Sequence, residues 1–216
     1  MAWDVERTKR LLLEAATAEF SEHGLAGARI DRIAANAGVN KERIYQYFGK
    51  KDELFATVLG TQLRSTMDAV PMTGTGPAAA GDYAGRLFDH HIGEATIPRL
   101  VFWEGLERGE SAAADVARAE YHRAKVEGFR RLLPGLERRE AAELLLTIVT
   151  LVNAWPVLGH LDELLVGVDD APADRRAMRR ASIVQTVELL AEAAQRESHG
   201  GDRANVGRRT QPGVQG

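Results

Sequence analysis

Apolar residues recur at helical intervals along nearly the whole chain. Between Thr8 and His23, Leu12, Ala15, Ala16 and Phe20 fall at i, i+3, i+4 and i+8, one stripe of a helix that Gly24 stops. Ile30, Ile33, Ala34 and Ala37 make a shorter stripe ending at Gly38, and Asn40 offers an N-cap for a run from Lys41 to Phe48. After Gly49, Asp52 can cap a longer helix with Leu54, Phe55, Val58, Leu59 and Leu63 on one face.

Pro71 to Gly81 reads as a loop, because proline, glycine and alanine crowd it. Further helices are expected over Tyr83–Glu94, from Pro98 through Glu107, and over Ala112–Leu133. One kinked at Pro156 is expected over Arg138–Leu165, and a last one over Ala173–Gln195. No alternating strand pattern stands out, so the expected fold class is all-α: an N-terminal helix-turn-helix three-helix domain (1–52) and a C-terminal helical domain (53–197). Residues 198–216 hold five glycines and two valines as the only bulky aliphatics, which predicts a disordered tail.

Composition narrows the chemistry. There is no cysteine, which removes disulfides, thiolate catalysis and thiolate zinc sites. Hydrophobic residues make up 44% and charged ones 27%, a globular balance. Asp4 and Glu6 stand where a signal peptide would be basic, and the run Leu144–Val152 is far short of the roughly 20 apolar residues of a spanning helix. A cytoplasmic protein without a membrane partner is expected.

The net charge of −3 hides a local reversal. Residues 29–51, RIDRIAANAGVNKERIYQYFGKK, carry six cations against two acids. The two helices that meet at Gly38 are too short to stand alone. Small Ala34, Ala37 and Gly38 permit close approach, and Ile33, Val39, Ile44 and Phe48 can fill a small core. That is the plan of a helix-turn-helix, with Lys41–Phe48 as the groove-entering helix. On it Ile44 and Phe48 share the inward face, leaving Lys41, Arg43 and Gln46 outside, flanked by Tyr45 and Tyr47 as hydroxyl donors to phosphate. Lys51 adds a cation at a helix N-terminus, where an anion is already favoured. Asn40 reads first as a cap and second as a base reader.

The stretch AANAGVNKERIYQYFGKKDELF, preceded by a helix ending Phe20-Ser-Glu-His-Gly24, resembles the DNA-binding domain of tetracycline-repressor-like (TetR family) regulators over about the first 60 residues. The resemblance implies a homodimer on a pseudo-palindromic operator, most often a repressor that a small molecule releases. It also implies a phosphate-contacting tyrosine at Tyr45, a His/Tyr position at Tyr47 and a phosphate-binding lysine at Lys51. Base-facing positions fall at Lys41, Arg43 and Gln46. Arg29 departs from the pattern, since many members carry a capping threonine there.

By the same resemblance an effector cavity lies among the middle helices, which implies an apolar or aromatic ligand. His91, Arg99, Phe102, Trp103, Tyr121 and Trp155 are its candidate contacts, each also an ordinary core or surface residue. No cofactor and no metal is expected. The rival from another class is an all-α metal-binding or enzymatic bundle using His90, His91, Glu94 and His160. It is weakened because the Glu-x-x-His order of di-iron bundles occurs nowhere. A ligand-independent DNA-binding protein, with a filled middle domain, is the other rival.

Overall fold

The computed structural model describes residues 2–108, 116–167 and 171–208. Among them the chain forms ten helices and no strand: α1 (Ala2–Gly27), α2 (Ile30–Ala37), α3 (Glu42–Phe48), α4 (Lys51–Ala69), α5 (Pro77–Gly93), α6 (Thr96–Glu107), α7 (Val116–Leu132), α8 (Arg138–Val157), α9 (Gly159–Val166) and α10 (Pro172–Arg208). The all-α class follows from the periodicity.

Several boundaries differ from expectation. α5 starts inside the stretch read as loop, because Pro77 suits the first helical turn, where no amide donor is needed, and three alanines follow it. The long helix expected over Arg138–Leu165 is two: Pro156 denies α8 a donor, and the chain leaves helix at Leu158 before α9 begins. α10 runs to Arg208, past the expected helix end at Gln195 and into the stretch read as a tail. A helix already nucleated extends by one hydrogen bond per residue, and the glycines there are tolerated. Residues 209–216, and the expected start of α7 at Ala112, lie outside the described residues. α8 is also long and apolar enough, at a mean hydropathy of 1.3, to cross a bilayer by length and composition, which counting only Leu144–Val152 missed.

The chain divides into two compact units, one formed by Met1–Val70, His90–Tyr121 and Asn153–Asp162, the other by Pro71–Asp89, His122–Val152 and Glu163–Gly216. The boundary drawn at 52/53 falls inside the first, since α4 packs on α1 and α3. Leu12, Ala16 and Phe20 of α1 meet Ile33, Ile44, Leu54 and Phe55 in one sealed core, with Phe20 edge-on to Phe55 at 5.1 Å. Val39 and Phe48 pack at its margin.

In the second unit Ala141, Leu144, Leu145, Ile148 and Val152 of α8 are buried, as are Ile183, Val187 and Ala191 of α10. These apolar faces serve the chain's own core, and Leu146, Leu189 and Leu190 remain exposed.

Lys125 is buried in this unit, and burial pushes its amine down to about 8 from the usual 10.5. The unfolded chain therefore binds more protons between about pH 8 and 10.5, so this residue makes stability rise with pH across that window. Lys125→Met, which keeps the stem and removes the charge, is expected to stabilise the protein by about 1–3 kcal/mol below pH 8. Chemical denaturation at two pH values checks this: the gain should vanish near pH 10.5, and a loss at neutral pH would contradict it.

Candidate nucleic-acid interface

The helix-turn-helix is built by a short list of local contacts. Gly38 ends α2 in the left-handed conformation (φ 65, ψ 31), its N–H donating to the carbonyls of Ala34 and Ala35, and Val39 N–H follows to Ala34 O at 3.0 Å. Asn40 Oδ1 accepts a long bond from Glu42 N–H at 3.4 Å, while the residue directly before α3 is Lys41, which makes no side-chain cap. α4 is capped by Glu53 rather than by Asp52: the Glu53 carboxylate accepts from Lys50 N–H at 2.6 Å.

Within α3, Ile44 is fully buried, while Lys41, Glu42, Arg43, Tyr45 and Gln46 around it are exposed and Tyr47 is half-buried. Arg43 donates to Gln46 Oε1 (2.9 Å) and to the Tyr47 hydroxyl (3.4 Å), so three of the candidate DNA contacts form one chain of hydrogen bonds. Lys41 pairs with Asp31 at 3.2 Å, which holds its amine above the usual lysine range. Both side chains are more than half exposed, so the pair is weak and readily exchanged for another anion. Lys51 Nζ donates to the Ala28 (3.2 Å) and Ala26 (3.4 Å) carbonyls near the end of α1, leaving one of its three protons for a further acceptor.

Sequence reasoning missed the residue that sets this arrangement. Glu19, buried on α1, accepts the backbone N–H of Arg29 at 2.8 Å and the side chain of Arg32, Nε at 2.8 Å and Nη2 at 2.6 Å. It fixes the first turn of α2 without any side-chain cap from Arg29, whose side chain is exposed. It also neutralises Arg32, one of the six cations counted in the window. A glutamate in mid-helix carries no sign of a partner thirteen residues away.

The six effector candidates are not brought together. Arg99 is exposed and donates from Nε to Ser21 O at 2.9 Å, and Trp103 lies against Gly24, so both hold α6 on α1. His91 is buried with its ring 5.7 Å from that of His90, while Phe102 and Trp155 are half-buried on α6 and α8. Tyr121 alone of the six lines the cleft of about 240 Å³ that α4 forms with α7. Its hydroxyl donates to Leu63 O at 3.0 Å, and burial pushes its pKa up to about 12. As for the metal alternative, His160 and Glu94 are exposed, and among the described residues no three His, Asp or Glu side chains are grouped to hold an ion.

Comparison with known proteins meets this geometry at both ends of the chain. The family model "Bacterial regulatory proteins, tetR family" matches residues 12–58, and "Tetracyclin repressor-like, C-terminal domain" matches 80–188. The HTH-type transcriptional repressor SCO4008 of Streptomyces coelicolor is 40% identical over 190 residues, 84% of this chain and 96% of that protein. The chain belongs to the TetR family.

Other relatives match over a shorter stretch. The HTH-type transcriptional repressor NicS of Pseudomonas putida is 43% identical over 58 residues, 27% of each chain. Among solved structures, the transcriptional regulator SCO4942 of Streptomyces coelicolor superposes with a TM-score of 0.63 at 30% identity, covering 85% of this chain and 97% of that one. Within the family the protein is a helix-turn-helix DNA-binding transcriptional regulator. The first match spans α1 to α4, the same elements that share the Phe20–Phe55 core.

Proposed function

We propose that the protein is a homodimeric repressor that reads a pseudo-palindromic operator with two copies of α3 and leaves it when a small molecule binds. One observation carries the DNA reading: α3 buries Ile44 completely and turns Arg43, Tyr45 and Gln46 of the same seven-residue helix to solvent, with Lys41 exposed just before its first turn. Lys41, Arg43 and Gln46 face base edges. Tyr45, Tyr47, Lys51 and Arg29 face phosphates, which set register without carrying sequence. Asn40 stays a cap.

Repression is supported by the SCO4008 relative, whose name records a repressor and which matches nearly end to end. Dimerisation is supported by the apolar Leu146, Leu189 and Leu190 left exposed in the second unit, and by the few base pairs one helix-turn-helix can read. Two half-sites about 35 Å apart restore specificity. A cytoplasmic location is in keeping with DNA as partner. The cleft beside α4 suits release, because α4 packs directly on α1 and α3.

Fluorescence anisotropy against the DNA upstream of the protein's own gene, with scrambled DNA as control, tests the reading. A preference of ~10³-fold or more supports it, and no binding even at low salt overturns it. The two kinds of contact separate by substitution. Arg43→Ala is expected to alter which base is preferred at one position of each half-site, by about 5–150-fold. Tyr45→Phe should weaken all sequences alike, and Lys51→Ala should lower the salt slope by about one. A uniform loss for Arg43→Ala, or an unchanged slope for Lys51→Ala, contradicts the assigned role.

A further inference from the structure

The cleft is lined by Ala56, Thr57, Gly60, Leu63 and Arg64 of α4 and by Arg118 and Tyr121 of α7. At about 240 Å³ it is smaller than the roughly 300–1,000 Å³ of sites for drug-sized ligands. Gly60 opens it: a β-carbon there would meet only the Arg64 guanidinium, at 3.6 Å, so no bulky neighbour fills the space. Tyr121 keeps its proton, already given to Leu63 O. Two guanidiniums beside the small and apolar Ala56, Gly60 and Leu63 select an anion with an apolar body, which adds a charge to the apolar or aromatic effector expected from sequence.

Arg118 has a second commitment. It pairs with Glu104 of α6, a buried carboxylate that Arg108 also approaches at 3.6 Å. α6 is in turn the helix that grips α1: Arg99 bonds Ser21 O, Glu107 Oε2 accepts from Ala26 N–H at 2.9 Å, and Trp103 covers Gly24. Anything that draws Arg118 toward the cleft therefore withdraws α7's tie to the helix that positions the reading head. Arg64, exposed at the rim, pairs with no acid among the described residues and can receive the same anion.

We propose that this cleft binds a small monocarboxylate with an apolar body, and that the ligand acts by competing with Glu104 for Arg118. This rests on the effector-released reading above and names the ligand class and the side chain it moves. A ligand changes DNA affinity only through a difference in its own affinity for the two forms, and an arginine shared between two carboxylates supplies one.

Calorimetry on the full chain with straight-chain carboxylates from acetate to decanoate and with benzoate, each beside its neutral alcohol, tests the site without DNA. The expected result is an optimum at intermediate length, with the acid bound about tenfold or more tighter than its alcohol. Arg64→Gln should erode that preference. Gly60→Leu, which fills the cleft while keeping every charge, should abolish binding, and Glu104→Gln should tighten it by removing the carboxylate that competes for Arg118. Equal binding of acids and alcohols, binding by none of the series, or weaker acid binding in Glu104→Gln overturns the proposal. The best acid, added to the operator complex, should then lower DNA affinity in the natural protein and not in Gly60→Leu. Binding without any effect on DNA overturns the Arg118 switch. Absence of DNA binding altogether counts against the repressor reading, and calorimetry still decides the cleft.

Discussion

Glu19→Ala is expected to lower the stability of the DNA-binding unit by about 2–4 kcal/mol, through two partly buried donors losing their one buried acceptor at once. The Arg29 N–H at the start of α2 is left without a cap, and the Arg32 guanidinium loses its partner. Arg32 is 40% exposed and can turn to water, which keeps the loss below that of a fully buried pair. Acid titration supplies a signature that a packing defect lacks. Burial alone would raise the Glu19 pKa, but the hydrogen bonds from Arg32 and from Arg29 N–H, with the positive charge of Arg32, outweigh it and hold it below the ordinary 4.5.

A carboxylate whose folded pKa lies below its unfolded one contributes stability that is present above about pH 4.5. That stability is lost as the pH falls through the folded value. Urea midpoints taken from neutral pH downward should fall for the natural protein. For Glu19→Gln, which keeps an acceptor for Arg29 N–H but has no proton to gain, they should be lower at neutral pH and flatter in acid. Parallel curves for the two proteins would remove Glu19 from this role.

Gly24→Ala should be comparably damaging for a different reason. Gly24 interrupts α1 at φ 69, ψ −176, a region essentially reserved for glycine. A β-carbon there would also come within 2.8 Å of the Trp103 indole and 2.7 Å of the Glu107 carboxylate. Strain of about 1–3 kcal/mol adds to overpacking of similar size. The indole is rigid, so α6 must move away, taking with it the Glu107 bond to Ala26 N–H. For a chain of this length each kcal/mol lowers the Tm by about 2–4 °C, so the drop should approach or exceed ~10 °C. Trp103→Ala removes the indole contact but not the conformational strain. The double variant should therefore lose less than the sum of the two single ones, and strict additivity would show that Trp103 and the new β-carbon do not meet.

The helix-turn-helix was legible because its information is local. Gly38 at the one left-handed position, Ile33 and Ile44 at helical spacing around it, and cations on the remaining faces of α3 all follow from short-range rules. Boundaries failed where local rules compete, as at Pro77, which opens a helix inside a stretch otherwise composed like a loop. They failed also beyond Gln195, where continuation of an existing helix outweighs glycine content.

Helical class, the position of the helix-turn-helix and the side chains that α3 leaves exposed were therefore determined by the sequence alone, since periodicity and capping act within a few residues. Only the tertiary structure decided which charges are spent inside the protein. Arg32 goes to Glu19 across thirteen residues and Arg118 to Glu104 across fourteen. Arg99 and Trp103, candidates for a ligand, are taken up by α1 across 78 and 79 residues. A side chain's residue type states what it can bind, but which partner reaches it first depends on how helices distant in sequence pack.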